Sequence, residues 1–246
     1  MNKWDSSKNI IKINLAPDGD RLENLEANVD GSGAIKAGVP SEKGELTING
    51  SGNVDAPVFF KNLRATINGS GNVTFIDADE FQASINGSGN IDFKNTKHCG
   101  ISINGSGDIK FDEAVNCAAT INGSGDITGK SVGILAAKIN GSGDMKFHEC
   151  EYMNIEIHGS GDFEADKITK TAKVAIHGSG EVNLKSGEIE MLDVYLDSGK
   201  INAKGVAAER AKIEIPNNGK VEIGRVKIES VEKCGDRAEV VIYKRG

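Results

Sequence analysis

The stretch Ile85-Asn-Gly-Ser-Gly-Asn90 decides the fold, because it returns almost unchanged as Ile121-Asn-Gly-Ser-Gly-Asp126. Its Gly-Ser-Gly core begins at Gly31, Gly50, Gly69, Gly87, Gly105, Gly123, Gly141, Gly159 and Gly178, with spacings of 19, 19, five times 18, then 19 residues. Just upstream, Phe81, Ala83 and Ile85 fall on one face and Gln82 and Ser84 on the other. That is the period-two alternation of a half-buried strand. Downstream, Asn90-Ile-Asp-Phe93 alternates again with Ile91 and Phe93 inward, and a third, shorter side passes through Thr96 before the cycle restarts at Cys99.

Superposing the repeats shows what stacking would bring together. The column before the corner reads Ile48, Ile67, Ile85, Ile103, Ile121, Ile139, Ile157 and Ile176, and the column after it Val54, Val73, Ile91, Ile109, Ile127, Met145, Phe163 and Val182. A further column holds Phe75, Phe93, Phe111 and Phe147, interrupted by Gly129. Similar side chains at one inward site on each cycle fit a parallel coil whose rungs lie one strand spacing apart, roughly 4.8 Å. Antiparallel barrels and propellers do not place matching residues this way. The expected fold is therefore all-β, a single-stranded parallel β-helix of about eleven rungs with three short sides each. Glycine in the corner is expected to supply positive φ and to let neighbouring rungs approach closely.

Residues 1–29 read as an N-terminal capping strand region, 30–200 as the regular rungs, and 201–246 as degenerate rungs with a C-terminal cap, all in one continuous domain. Pro17-Asp-Gly-Asp20 marks a turn in the first segment, and Ala238-Glu-Val-Val-Ile-Tyr243 a closing strand in the last. Leu196-Asp-Ser-Gly199 keeps half of the corner and Pro216-Asn-Asn-Gly219 only a turn.

Composition agrees with a thin core: of 246 residues 38% are hydrophobic and 5% aromatic. A net charge of -7 and the lack of a long basic run exclude a nucleic-acid partner. Met1-Asn-Lys-Trp-Asp-Ser-Ser lacks the apolar core of a secretory signal, and no stretch has the apolar length of a membrane span. As it stands the chain reads as cytoplasmic. Cys99, Cys117, Cys150 and Cys234 are too sparse for a disulfide scaffold, and Cys99 and Cys117, inward on neighbouring rungs, read as buried free thiols.

Gly-Ser-Gly-Asp/Asn followed by Val or Ile at this period resembles the bacterial auto-transporter adhesin head GIN domain family, over residues 30 to about 200. The resemblance implies a right-handed β-helix, a cell-surface or extracellular setting and no enzymatic activity. The absence of a Leu/Ile/Val-Gly hexapeptide repeat, the mark of left-handed coils, agrees with that hand. A looser likeness is to bactofilins, filament-forming scaffolds with similarly short β-helical turns.

Three columns flank the corner on the outside. After it run Asn53, Asn72, Asn90, Asp108, Asp126, Asp144, Asp162 and Glu181. Five stacked carboxylates should repel one another, and calcium would relieve that. Asp and Asn also interchange as acceptors for backbone N–H groups, with Lys110 and Lys146 nearby to soften the charge. In the corner itself Asn49, Asn68, Asn86, Asn104, Asn122 and Asn140 give way to His158, His177 and Asp197. Stacked amides can bond along a parallel ladder, and two histidines with an acid can hold a metal ion. The third column, Thr47, Thr66, Ser84, Ser102, Thr120 and Lys138, makes a hydroxyl-rich face that could order water or lie along a polysaccharide.

No nucleophile motif, phosphate loop or cofactor signature occurs, and turns with almost no insertions leave no long loops to build a cleft. The expected function is a non-enzymatic structural, adhesin-like repeat protein presenting a rigid surface to a polysaccharide or protein partner. Self-association through an edge or end cap is compatible with it. The competing readings are a filament-forming scaffold and a carbohydrate- or cation-binding module.

Overall fold

A computed structural model describes residues 9–15, 21–233 and 236–245; the turn expected at Pro17–Asp20 and Cys234 lie outside them. The chain is an all-β parallel β-solenoid of about 12 turns, with no helix among the described residues, so none that could cross a membrane. It divides into two compact units, Met1–Val115 and Asn116–Gly246.

The first unit holds β1 (Asn9–Leu15), β2 (Leu22–Val29), β3 (Ala34–Lys36), β4 (Ser41–Ile48), β5 (Asn53–Ile67), β6 (Val73–Ile85), β7 (Ile91–Asp92), β8 (Asn95–Ile103) and the start of β9 (Ile109–Ile121). Strands β2, β4, β5, β6 and β8 pair in parallel in that order, so that Ile48, Ile67, Ile85 and Ile103 are successive partners. Only β1 departs, running antiparallel on β2 with Ile13 opposite Leu25. The second unit continues with β10 (Ile127–Ile139), β11 (Met145–Ile157), β12 (Phe163–Ile176), β13 (Glu181–Leu184), β14 (Gly187–Leu196), β15 (Lys200–Ile215), β16 (Lys220–Lys233) and β17 (Glu239–Arg245). Here Ile139, Ile157, Ile176 and Leu196 are successive parallel partners. The expected count of about eleven rungs compares with about 12 turns, and the closing strand expected at residues 238–243 is β17. No Gly-Ser-Gly corner precedes that strand, yet it stacks in parallel on β16, with Val221 opposite Val240.

The inward columns form the core. Ile48, Ile67, Ile85 and Ile103 are fully buried, and burial of each such side chain stabilises the fold by roughly 1.5–3 kcal/mol. Phe75 stacks on Phe93 and Phe93 on Phe111, each at 5.0 Å between ring centroids and within 8° of parallel. That separation is close to the strand spacing itself. Phe81 closes the stack edge-on against Phe75 and Phe93. Cys99, Cys117 and Cys150 are buried; burial, then Cys117 and Glu149, pushes the Cys150 thiol up to about 12.

At the corner one carbonyl serves two donors. Ser70 and Gly71 both donate their N–H to the oxygen of Gly50, at 2.9 and 3.2 Å, and Ser142 and Gly143 do the same to Gly123, at 3.0 and 3.2 Å. A Cβ at Gly71 would land on the carbonyl oxygen of Gly52, and one at Gly143 on that of Gly125. Positive φ was the other expected role, but among the described glycines it is confined to Gly31, Gly187 and Gly199. The corner glycines between them therefore serve close approach.

Turns longer than 18 residues take up surplus along their sides, and the corner varies too, the path from Leu196 to Lys200 being one residue shorter than that from Ile176 to Glu181. The register shifts between Ala56 and Phe59, between Cys150 and Tyr152, between Ile168 and Thr171, and between Ala203 and Ala207.

Candidate functional site at the polar corner

A primary amide is long enough to bridge one strand spacing, and the corner column uses it. In the first unit Asn68 donates from Nδ2 to Oδ1 of Asn49 at 2.8 Å, Asn86 to Asn68 at 2.9 Å and Asn104 to Asn86 at 2.9 Å. Asn49 in turn donates to Asp30 at 2.7 Å. In the second unit Asn140 donates to Asn122 at 2.7 Å, and Asn217 to Asp197 at 2.5 Å. Each bond runs along the stacking direction, as in cross-β amide ladders.

The column after the corner bonds differently. Oδ1 of Asn53 accepts the main-chain N–H of Asn72 at 2.9 Å, Asn72 accepts that of Asn90 at 3.0 Å, and Asn90 that of Asp108 at 2.8 Å. Asp126, Asp144 and Asp162 likewise accept from Asp144, Asp162 and Glu181, at 2.8, 2.7 and 2.7 Å. An Asx oxygen thus replaces a carbonyl where the chain leaves the corner. Lys146 pairs with Glu164 at 2.6 Å, and Lys185 bridges Glu164 and Asp166 at 2.7 and 2.8 Å. Hydrogen bonds from Lys146 and then Lys185 hold the Glu164 carboxyl below its ordinary range, and bonds from Lys185 and then His148 do so for Asp166.

The hydroxyl column is also in register, with Thr47 opposite Thr66, Thr66 opposite Ser84 and Ser84 opposite Ser102. All four are half-buried.

Below Asn140 the amide run ends in two imidazoles. His158 stacks on His177 with centroids 4.7 Å apart and planes 13° from parallel, and Tyr195, one turn further, tilts over His177 at 5.1 Å. Glu156, two residues before His158 and so on the same outward face, is hydrogen-bonded to His158 Nε2 and lies 3.4 Å from Lys138 Nζ. The bond to His158, then the charge of Lys138, holds the Glu156 carboxyl below its ordinary range. One ligand atom from each of Glu156, His158 and His177 lies within 4.8 Å of the other two. Asp197, expected beside the histidines, lies outside this group and accepts from Asn217. Glu156 was not singled out from sequence, although its spacing of two from His158 on a strand was signal enough.

The family model described as "Putative auto-transporter adhesin, head GIN domain" matches residues 8–133 and again residues 131–232. The chain belongs to the head GIN domain family. Its GIN pattern is thus present twice in tandem, and both matches carry the Gly-Ser-Gly corner and its flanking columns. No curated protein and no solved structure matches the chain significantly.

Proposed function

We propose that this GIN-domain solenoid is a non-enzymatic, adhesin-like structural protein whose polar corner presents a rigid surface to a polysaccharide or protein partner. The observation that carries this is the amide ladder from Asn49 to Asn104. Each amide is fixed by its neighbours and repeats at one strand spacing. Such an array meets a repetitive partner without having to freeze side-chain rotamers on binding, which lowers the cost of association. The non-enzymatic part is supported by the buried thiols, which face the core, Cys150 with its thiol raised far above a nucleophile's range.

Immobilised protein tested against a panel of surface polysaccharides and cell-surface proteins is expected to retain a ligand without altering it. The variant N68A/N86A should keep the far-UV spectrum of the fold and lose that ligand. Release of cleaved product, or equal retention by the variant, overturns the proposal.

A further inference from the structure

We infer that Glu156, His158 and His177 form a binding site for a divalent first-row transition-metal ion of the zinc class. The observation that first points there is a break in an otherwise uniform column: amides at Asn122 and Asn140 are followed by imidazoles on the next two turns. An imidazole forfeits the amide-to-amide bond that Asn140 makes to Asn122, and provides a metal-ligating nitrogen in its place.

Parallel register then supplies the geometry. It sets the two rings one above the other at 4.7 Å, while strand alternation turns Glu156 to the same side as His158. The three donor atoms lie within 4.8 Å of one another. A tetrahedral ion with bonds of about 2.0–2.1 Å needs donors roughly 3.3 Å apart, so closure requires about 1.5 Å of side-chain movement. The side chains have that freedom, His158 being 36% and Glu156 41% exposed. Tyr195 braces the far face of His177. The ion takes the place of the hydrogen bond between Glu156 and His158, and draws Glu156 away from Lys138. Two imidazoles with one carboxylate select zinc, nickel, cobalt or copper over calcium and magnesium, which take all-oxygen sets. The fourth position of the tetrahedron is left for water.

The test is calorimetric titration of the untagged chain with zinc chloride in the presence of excess calcium and magnesium. One zinc ion per chain is expected, with a rise in thermal midpoint that calcium does not reproduce. The variant H158N/H177N carries at both positions the residue used on earlier turns; it should fold as the parent does and lose that equivalent, while E156Q should bind more weakly than the parent. Absence of zinc binding to the parent, or binding unchanged in H158N/H177N or in E156Q, overturns the assignment.

Discussion

The main-chain N–H of Asp162 donates to Oδ1 of Asp144, one turn earlier, at 2.7 Å. A carboxylate here does the work that an amide oxygen does in the first unit, where Asn90 accepts from Asp108. Asp144→Asn is therefore expected to leave the urea midpoint almost unchanged, whereas Asp144→Ala should destabilise by about 1 kcal/mol, the net worth of one such bond. Both are read in chelator. A midpoint that rises with millimolar calcium in the parent and not in Asp144→Asn would instead favour a calcium ladder.

Gly71 has no room for a side chain because the carbonyl oxygen of Gly52 occupies the place. Gly71→Ala should destabilise by about 1–3 kcal/mol or more, the range for forcing extra volume into a packed site. Gly38 has open space, with no atom within 4 Å of where a Cβ would stand, and Gly38→Ala should change stability by less than about 0.5 kcal/mol. Equal losses in the two variants would show that the corner does not depend on close approach.

Glu164 and Asp166 titrate below their ordinary values of 4.5 and 3.8 because lysine and histidine donors favour the charged forms. A depressed folded-state pKa contributes stability above the unfolded value and loses it as pH falls through the folded one. Lys185 is raised above 10.5, chiefly by Asp166 and then Glu164, so its contribution is present below that value and lost as pH climbs past the raised one. The thermal midpoint of Lys185→Met should thus trail the parent most between about pH 5 and 9, with the gap closing at either extreme. A gap independent of pH would assign the lysine a packing role alone.

Cys150 combines full burial with a thiol pushed up to about 12. Iodoacetamide at pH 8 should leave it unmodified in the folded chain and alkylate it in denaturant, as peptide mass spectrometry would read. Labelling under native conditions at the rate of a free thiol would mean that the second unit opens locally.

The isoleucine column was legible because its period of 18 residues is nearly constant and every turn faces the same neighbour. The last turn was legible only as a closing strand at residues 238–243, because no Gly-Ser-Gly motif precedes β17 to place it in the series of turns. The same column-wise view hid the group around His158. Reading along the stacking direction follows Asn140 to His158 to His177, and so on to Asp197, whereas Glu156 lies across columns, in a series that began with Thr47 and Thr66. Tyr195 belongs to that neighbouring series too, and only the three-dimensional register brings its ring onto His177. The role of the corner glycines was half legible: of the two roles expected, close approach of neighbouring turns is what the described corner glycines mostly serve, whereas positive φ is confined to Gly31, Gly187 and Gly199.

Register shifts at Ala56/Phe59, Cys150/Tyr152, Ile168/Thr171 and Ala203/Ala207 make chain length negotiable along the sides of the turns. An insertion at these bulges is absorbed locally. The corner tolerates a change as well: Leu196 to Lys200 is one residue shorter than Ile176 to Glu181, yet Ile201 still pairs with Val182 and stays buried. Extra residues at the bulges enlarge one side of a single turn while the turns stacked on either side keep their pairing.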